Sequence, residues 1–222
     1  MNFREFLRLG KATAIVLADS ERTEEIHVVE EITGRARFSE VRRLLFQGEE
    51  ARALLRDRPE ICSDQVDYDG LRKLPPDSLG FHYVDHLDRN GLSADSQAAS
   101  TRLVTDAELA YLIRRFRQTH DVWHTLIGLG TAGHEEVIVH AFSWGQLALP
   151  VSKLVVFFGG LKHIVLEARW AALRHALWEA YRHGRQAKPL LPVYWERHWE
   201  EPIDQIREEL GVLPCTRAFV DH

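Results

Sequence analysis

An all-α fold, one compact multi-helix domain spanning residues 1–222, is predicted by three features of the chain. Apolar residues recur at three- and four-residue spacing over long stretches, the period of a helix with one buried face. Alternating strand patterns are nearly absent. Capping residues, prolines and glycines punctuate the periodic stretches where helices start and stop. A length of 222 residues with 45% hydrophobic and 27% charged side chains gives one domain with a sizeable core and little room for a second.

The elements follow in order. Arg4, Arg8 and Lys11 lie among apolar residues at helical spacing, so Asn2–Asp19 reads as an amphipathic helix. A secretory signal would need an unbroken apolar core and a small-residue cleavage site. Short helices are predicted at Ser39–Phe46 and Glu49–Arg56, a turn-rich stretch at Pro59–Pro76, and a helix at Asp77–Arg89. Asn90-Gly91 opens a polar loop to Ser100. Thr105 and Glu108 make a capping-box pattern ahead of AELAYLIRRFRQTHDVWHTLI. Its face of Leu109, Leu112, Ile113, Phe116 and His120 extends to about Ile127, where Gly128, Gly130 and Gly133 stop it.

A helix over His134–Leu149 comes next, then one after Pro150 with a bend at Gly159-Gly160, then Glu167–Gly184 with Trp170, Leu173, Leu177 and Tyr181 at helical spacing and Gly184 as its stop. Pro192–Glu200 and Pro202–Leu210 each open with proline, which suits a first helical turn. All six tryptophans (123, 144, 170, 178, 195 and 199) fall in the second half, which places the main core and an apolar cavity there. The most apolar stretch, Leu147–Leu161, falls short of the roughly 20 apolar residues of a membrane span and contains Pro150 and Lys153. It serves either as a central core helix or as a lipid-facing, interfacial surface.

A net charge of −5 argues against a nucleic-acid partner, which needs clustered positive charge. Cys62 and Cys215 match no metal or redox spacing and read as buried thiols of a reducing compartment.

The chemistry concentrates at His120-Asp121-x-x-His124. Residues four apart lie on one helix face, about 6 Å apart along the axis, so two imidazoles there can grip one ion. Asp121 can ligate, orient a histidine or accept a proton. A helical hairpin after the glycines would fold Glu135-Glu136 back alongside, and one carboxylate completes a two-histidine, two-carboxylate set. Such a set suits zinc, iron, manganese or magnesium.

Gly128-Leu-Gly130-Thr-Ala-Gly133 spells the dinucleotide fingerprint, but that motif needs a preceding strand. A tight helix–helix turn is the expected role. The His-Asp pair also occurs in metal phosphohydrolases, whose further ligands would be His82 or His86 upstream and Asp204 downstream.

Spelled H-D-x-x-H-x11-E by His120, Asp121, His124 and Glu136, the motif resembles the signature of the coenzyme Q biosynthesis protein four family. ELAYLIRRFRQTHDVWH and GRQAKPLLPVYWE resemble blocks of that family too, the latter through Gly184, Arg185, Lys188, Pro189, Tyr194, Trp195 and Glu196. The resemblance covers roughly Pro75 to Val212.

It implies a divalent ion at the motif, a prenylated quinone precursor or other long-chain isoprenoid lipid as ligand, and association with other quinone-biosynthesis enzymes at a membrane surface, with a homodimer as one allowed assembly. The implied activity is oxidative decarboxylation at ring carbon C1, by a metal-dependent decarboxylase, hydroxylase or lyase. The alternative is a non-catalytic scaffold presenting lipid. Asp121 and Glu136 are the expected proton-handling residues. The prenyl tail is expected among Leu154, Val155, Phe157 and Phe158, with Arg185 and Lys188 offsetting substrate charge. With no presequence in view, the expected setting is a bacterial or processed form, cytoplasmic and peripheral to the inner membrane.

Overall fold

The computed structural model describes residues 3–18, 23–93, 95, 101–167 and 170–215. Among them are ten α-helices: α1 Phe3–Ala18, α2 Thr23–Leu45, α3 Glu49–Asp57, α4 Tyr68–Leu71, α5 Leu79–Asn90, α6 Ala107–Ile127, α7 Gly133–Leu147, α8 Pro150–Glu167, α9 Trp170–Gln186 and α10 Ile203–Leu210. A 3-10 turn covers Trp195–Arg197. The described residues contain no strand; Ser78 and Pro202 form one isolated bridge. The all-α prediction therefore holds. No apolar cavity is delineated among these residues, and the depression lined by Glu49, Glu50, Ala53, Arg56 and Arg197 is polar.

The centre of the molecule is α6, with 17 of its 21 residues buried. It packs against α2, α5 and α7, while α7 packs against α8 and α9. The core is not confined to the second half: Phe38, Leu54, Ile61 and Tyr83 are as buried as Trp123, Phe142 and Trp195. Four tryptophans do not follow the core trend together, since Trp123, Trp195 and Trp199 are buried whereas Trp178 is exposed.

Several boundaries differ from the sequence expectation for identifiable reasons. Helix α2 begins 16 residues before the predicted Ser39, because its inward residues include Glu30 and Glu31, which pair with buried Arg117 of α6 and break an apolar pattern. The cap of α6 is Asp106, not Thr105: the Asp106 carboxylate accepts the N–H groups of Glu108 and Leu109, each at 3.0 Å, and the Glu108 side chain turns to Arg42 instead. Helix α8 runs through Gly159-Gly160 without a break, and Val137 of α7 comes close to Gly159.

Gly184 does not stop its helix. It lies within α9, where a Cβ would collide with the carbonyl of Phe142, as a Cβ on Gly145 would with the carbonyl of Tyr181. These glycines let the backbones of α7 and α9 touch. Only Trp195–Arg197 is helical within the predicted Pro192–Glu200, since Glu196 is drawn inward to Arg115 of α6. That guanidinium, fully buried, holds both Glu196 oxygens and also donates to the Val193 carbonyl. Opposite charges so paired carry much of the cost of burying either one. The tail is thereby fastened to the helix that carries the metal motif.

Candidate metal centre

Helix α6 ends at Gly128, in the left-handed conformation with φ +77, a backbone state that glycine adopts without a Cβ penalty. The chain then turns back. Glu135, in the first turn of α7, accepts the backbone N–H groups of Gly130 (3.0 Å) and Ala132 (3.1 Å). Of the two adjacent acids, Glu135 is thus committed to holding the turn, and Glu136 is left to face α6. The glycine fingerprint serves this hairpin.

Three side chains of the predicted set converge. His120 Nε2 lies 3.3 Å from Glu136 Oε2, His124 Nε2 3.5 Å from Glu136 Oε1, and the two Nε2 atoms are 3.1 Å apart. Such a group has the composition and spacing to hold one ion. His124 is fully buried, His120 nearly so, and the Glu136 side chain is 35% exposed, so the carboxylate marks the more open side. His124 Nδ1 is 2.8 Å from the carbonyl oxygen of Gly130. A carbonyl only accepts, so Nδ1 carries the proton and Nε2 offers its lone pair to the shared space.

Asp121 is buried but is not part of the three-residue group. Its charge is felt by Tyr68 and Tyr83, which sit with ring centroids 6.3 Å apart. Burial raises its carboxyl above the usual carboxylate range, against the downward pull of His120 and His124. Glu136 goes the opposite way: burial works upward, but the hydrogen bonds and charges of His120 and His124 hold it far below that range. For His120, burial works downward and is outweighed by Glu136, whose hydrogen bond and charge raise the imidazole. The central carboxylate is therefore ionised and ready for a cation.

Two further histidines flank the group: His86, which the sequence offers only as an upstream ligand of the phosphohydrolase pattern, and His140, which it does not single out. His86 of α5 stacks on His124 with centroids 5.5 Å apart and planes 29° apart. His140, one turn beyond Glu136 on α7, lies 5.1 Å from His120 by centroids. Burial pushes both imidazoles down, to about 4 for His86 and about 3 for His140. His86 Nε2 and His140 Nδ1 are buried without a hydrogen-bond partner. The i, i+4 spacing of Glu136 and His140 is the available sequence signal for the second of these. Orphaned polar atoms around a two-imidazole, one-carboxylate set fit a site that takes an ion together with an oxygen-bearing ligand.

The remaining predicted site residues lie elsewhere on the surface. Phe157 is 66% exposed, Leu154, Val155 and Phe158 are half-buried, and Arg185 and Lys188 are exposed. Asp204 is exposed on α10 and paired with Arg207, so the phosphohydrolase pattern lacks its downstream aspartate here. Cys62 and Cys215 are free, half-buried thiols.

Two imidazoles one turn apart on α6 and one carboxylate from α7 define an all-helical protein with a candidate metal site of the His-Asp-x-x-His type. The family model for coenzyme Q (ubiquinone) biosynthesis protein Coq4 matches residues 2–216, and the chain belongs to that family. It is 34% identical over 215 residues to the mitochondrial ubiquinone biosynthesis protein COQ4 homolog of Drosophila yakuba, covering 97% of this chain and 79% of that one. The Bos taurus homolog, also named mitochondrial, is 35% identical over 209 residues, covering 94% and 78%. A crystal structure from Nostoc punctiforme shares the fold, with TM-score 0.72 and 23% identity over 94% of this chain and 96% of that one. The relatives named mitochondrial lend no support to the bacterial origin expected from the sequence. Among the described residues no helix is long and apolar enough to cross a membrane.

Proposed function

We propose that the chain binds one divalent ion through His120, His124 and Glu136 and uses that centre on a prenylated aromatic acid in ubiquinone biosynthesis, in the oxidative decarboxylation of ring carbon C1. The observation that carries this reading is the convergence of two imidazole Nε2 atoms and one ionised carboxylate within 3.5 Å contacts on a buried hairpin. The names of the relatives supply the pathway. Three protein donors leave coordination positions open, which is the pattern of a catalytic rather than a purely structural site.

A bound ion would supply Lewis acidity or, if redox-active, a route to dioxygen chemistry. The reaction would break the carbon–carbon bond to the carboxyl, release carbon dioxide and form a carbon–oxygen bond with the oxygen of water, the two electrons passing to dioxygen to give hydrogen peroxide. In this chain the Gly130 carbonyl orients His124, and Glu136 balances positive charge. Asp121, a buried acid whose pKa is raised by its surroundings, holds or moves a proton beside the pair. The prenyl tail would run over Leu154, Val155, Phe157 and Phe158, with Arg185 and Lys188 toward anionic groups. Other quinone-synthesis enzymes and a membrane surface are the proposed partners.

The test combines elemental analysis of the purified protein with complementation of a strain lacking this step. We expect about one divalent ion per chain, its loss in a His120→Ala/His124→Ala variant, and accumulation of a prenylated carboxylated precursor in cells carrying that variant. Metal content unchanged by the double substitution refutes the site. Full quinone production by the metal-free variant refutes the catalytic role and leaves the lipid-presenting scaffold.

A further inference from the structure

His86 lies outside the four-residue motif, yet its surroundings specify its tautomer. It sits on α5, one turn before Asn90. The Asn90 side-chain nitrogen Nδ2 is 2.8 Å from the backbone carbonyl of His86, and a carbonyl accepts only from a donor, so the amide orientation is fixed. Asn90 Oδ1 accordingly faces the other way and accepts the hydroxyl of Thr131, 3.1 Å away in the α6–α7 turn. Nδ2 also lies 3.4 Å from His86 Nδ1. A nitrogen facing an N–H donor must be the acceptor, which puts the proton of the neutral imidazole on Nε2.

That Nε2–H is buried and has no acceptor. The residue is 8% exposed and its ring stacks on that of His124 with centroids 5.5 Å apart, which puts the imidazole beside the candidate metal group. Leaving such a donor buried and unmatched is costly. No oxygen of Glu136, Gly130 or Asn90 comes within hydrogen-bond distance of it. The acceptor must come from outside the protein.

We propose that His86 is a ligand-binding residue of this centre, donating its Nε2–H to a carboxylate seated beside His120, His124 and Glu136. A carboxylate suits the juxtaposition because it has two oxygens, one for a cation and one for an N–H donor. The assignment rests on the metal reading above and adds to it the group that recognises the acid function. The same ring cannot ligate through Nε2 while that atom carries its proton, so His86 governs the bound acid and not the ion.

The experiment uses cobalt(II)-loaded full-length protein with benzoate as the probe, followed by the visible absorption of the cobalt. Wild type is expected to take up one equivalent of cobalt and to change its spectrum with benzoate. His86→Phe keeps the stacking ring, should keep the cobalt, and should bind benzoate about tenfold more weakly or worse, as expected for loss of a hydrogen bond to a charged acceptor. His86→Gln, which returns an N–H near the same place, should recover most of the affinity. Nitrogen-15 spectra of histidine-labelled wild type should show His86 as the Nε2–H tautomer, an outcome independent of how the variants fold.

Unchanged benzoate affinity in His86→Phe, an Nδ1–H tautomer, or a folded His86→Gln no better than His86→Phe overturns the proposal. Loss of cobalt from a folded His86→Phe also overturns it, since the ring would then be a ligand. A wild type that takes up no cobalt refutes the metal reading itself, and this assignment with it.

Discussion

His124 is held by Gly130: the imidazole Nδ1 lies 2.8 Å from the glycine carbonyl six residues on. One backbone oxygen, placed by the turn between two helices, thereby sets which nitrogen of a buried histidine is available to an ion. The turn is a working part of the site as well as a connection. Partners of this kind typically change metal affinity by 10–100-fold when removed.

The turn can be disturbed without touching a ligand. Gly128 holds φ +77 at the end of α6, where a side chain costs about 1 kcal/mol. Gly128→Ala should lower stability by about that amount and weaken zinc binding about tenfold, read by competition with a chelator. Wild-type affinity in a destabilised Gly128→Ala protein would separate the turn from the site.

Asp121 and Glu136 should part company on substitution, because only Glu136 stands among the converging donors. Glu136→Gln removes the ionised oxygen facing both histidines and should lose most bound metal. Asp121→Asn should keep the metal and the melting temperature while quinone synthesis in cells falls by about 100-fold, within the range for loss of a general acid or base. Elemental analysis beside quinone quantification distinguishes the two. Equal metal loss in both variants would make Asp121 a ligand.

Much of this arrangement was legible in the chain, and what was not has a common physical cause. The spacing of His120 and His124 directly encodes a shared helix face, and the glycines after Ile127 encode the hairpin that returns Glu136. The start of α2 was hidden because Glu30 and Glu31 occupy buried positions opposite Arg117, and a periodicity that counts acids as outward loses the helix. Gly184 resembled a helix stop for a similar reason: a missing Cβ permits a left-handed turn or a close helix crossing, and only the fold shows that Phe142 is on the other side. His86 could not be told from His82 in the chain, since its stacking on His124 joins residues 38 positions apart.

Glu196 is a structural fastening rather than a reactive group. Its partner Arg115 is entirely buried, so neutralising the acid leaves an unmatched cation inside α6. Glu196→Gln should destabilise by about 3 kcal/mol, or roughly 6–12 °C in melting temperature for a chain of this size. Differential scanning calorimetry measures it, and a loss under 1 kcal/mol would show that the glutamine amide replaces the pairing.

The exposed aromatics address membrane association. Phe157 and Trp178 are 66% and 57% exposed on α8 and α9, and aromatic side chains favour the boundary between water and lipid. A Phe157→Glu/Trp178→Glu double variant should lose most sedimentation with phosphatidylglycerol-containing vesicles while keeping its metal and its helical circular dichroism. Binding equal to wild type would place any lipid-facing surface elsewhere.

Acid weakens the fold in a direction set by His27. Burial and the nearby Arg117 charge lower this imidazole from 6.5 to about 4, because a second cation is unwelcome beside a guanidinium that Glu30 and Glu31 already engage. The unfolded chain has no such constraint and binds a proton near 6.5. Between pH 6.5 and about 4 the unfolded state therefore holds more protons than the folded one, and stability must fall as pH falls. The contribution is complete above pH 6.5, declines through that interval and levels off below pH 4, where both states are protonated. Comparing melting temperatures of wild type and His27→Gln across pH 4–7.5 isolates the effect from other titrating groups. The wild-type curve should drop more steeply below pH 6.5, and parallel curves would mean that His27 titrates alike in the folded and unfolded chains.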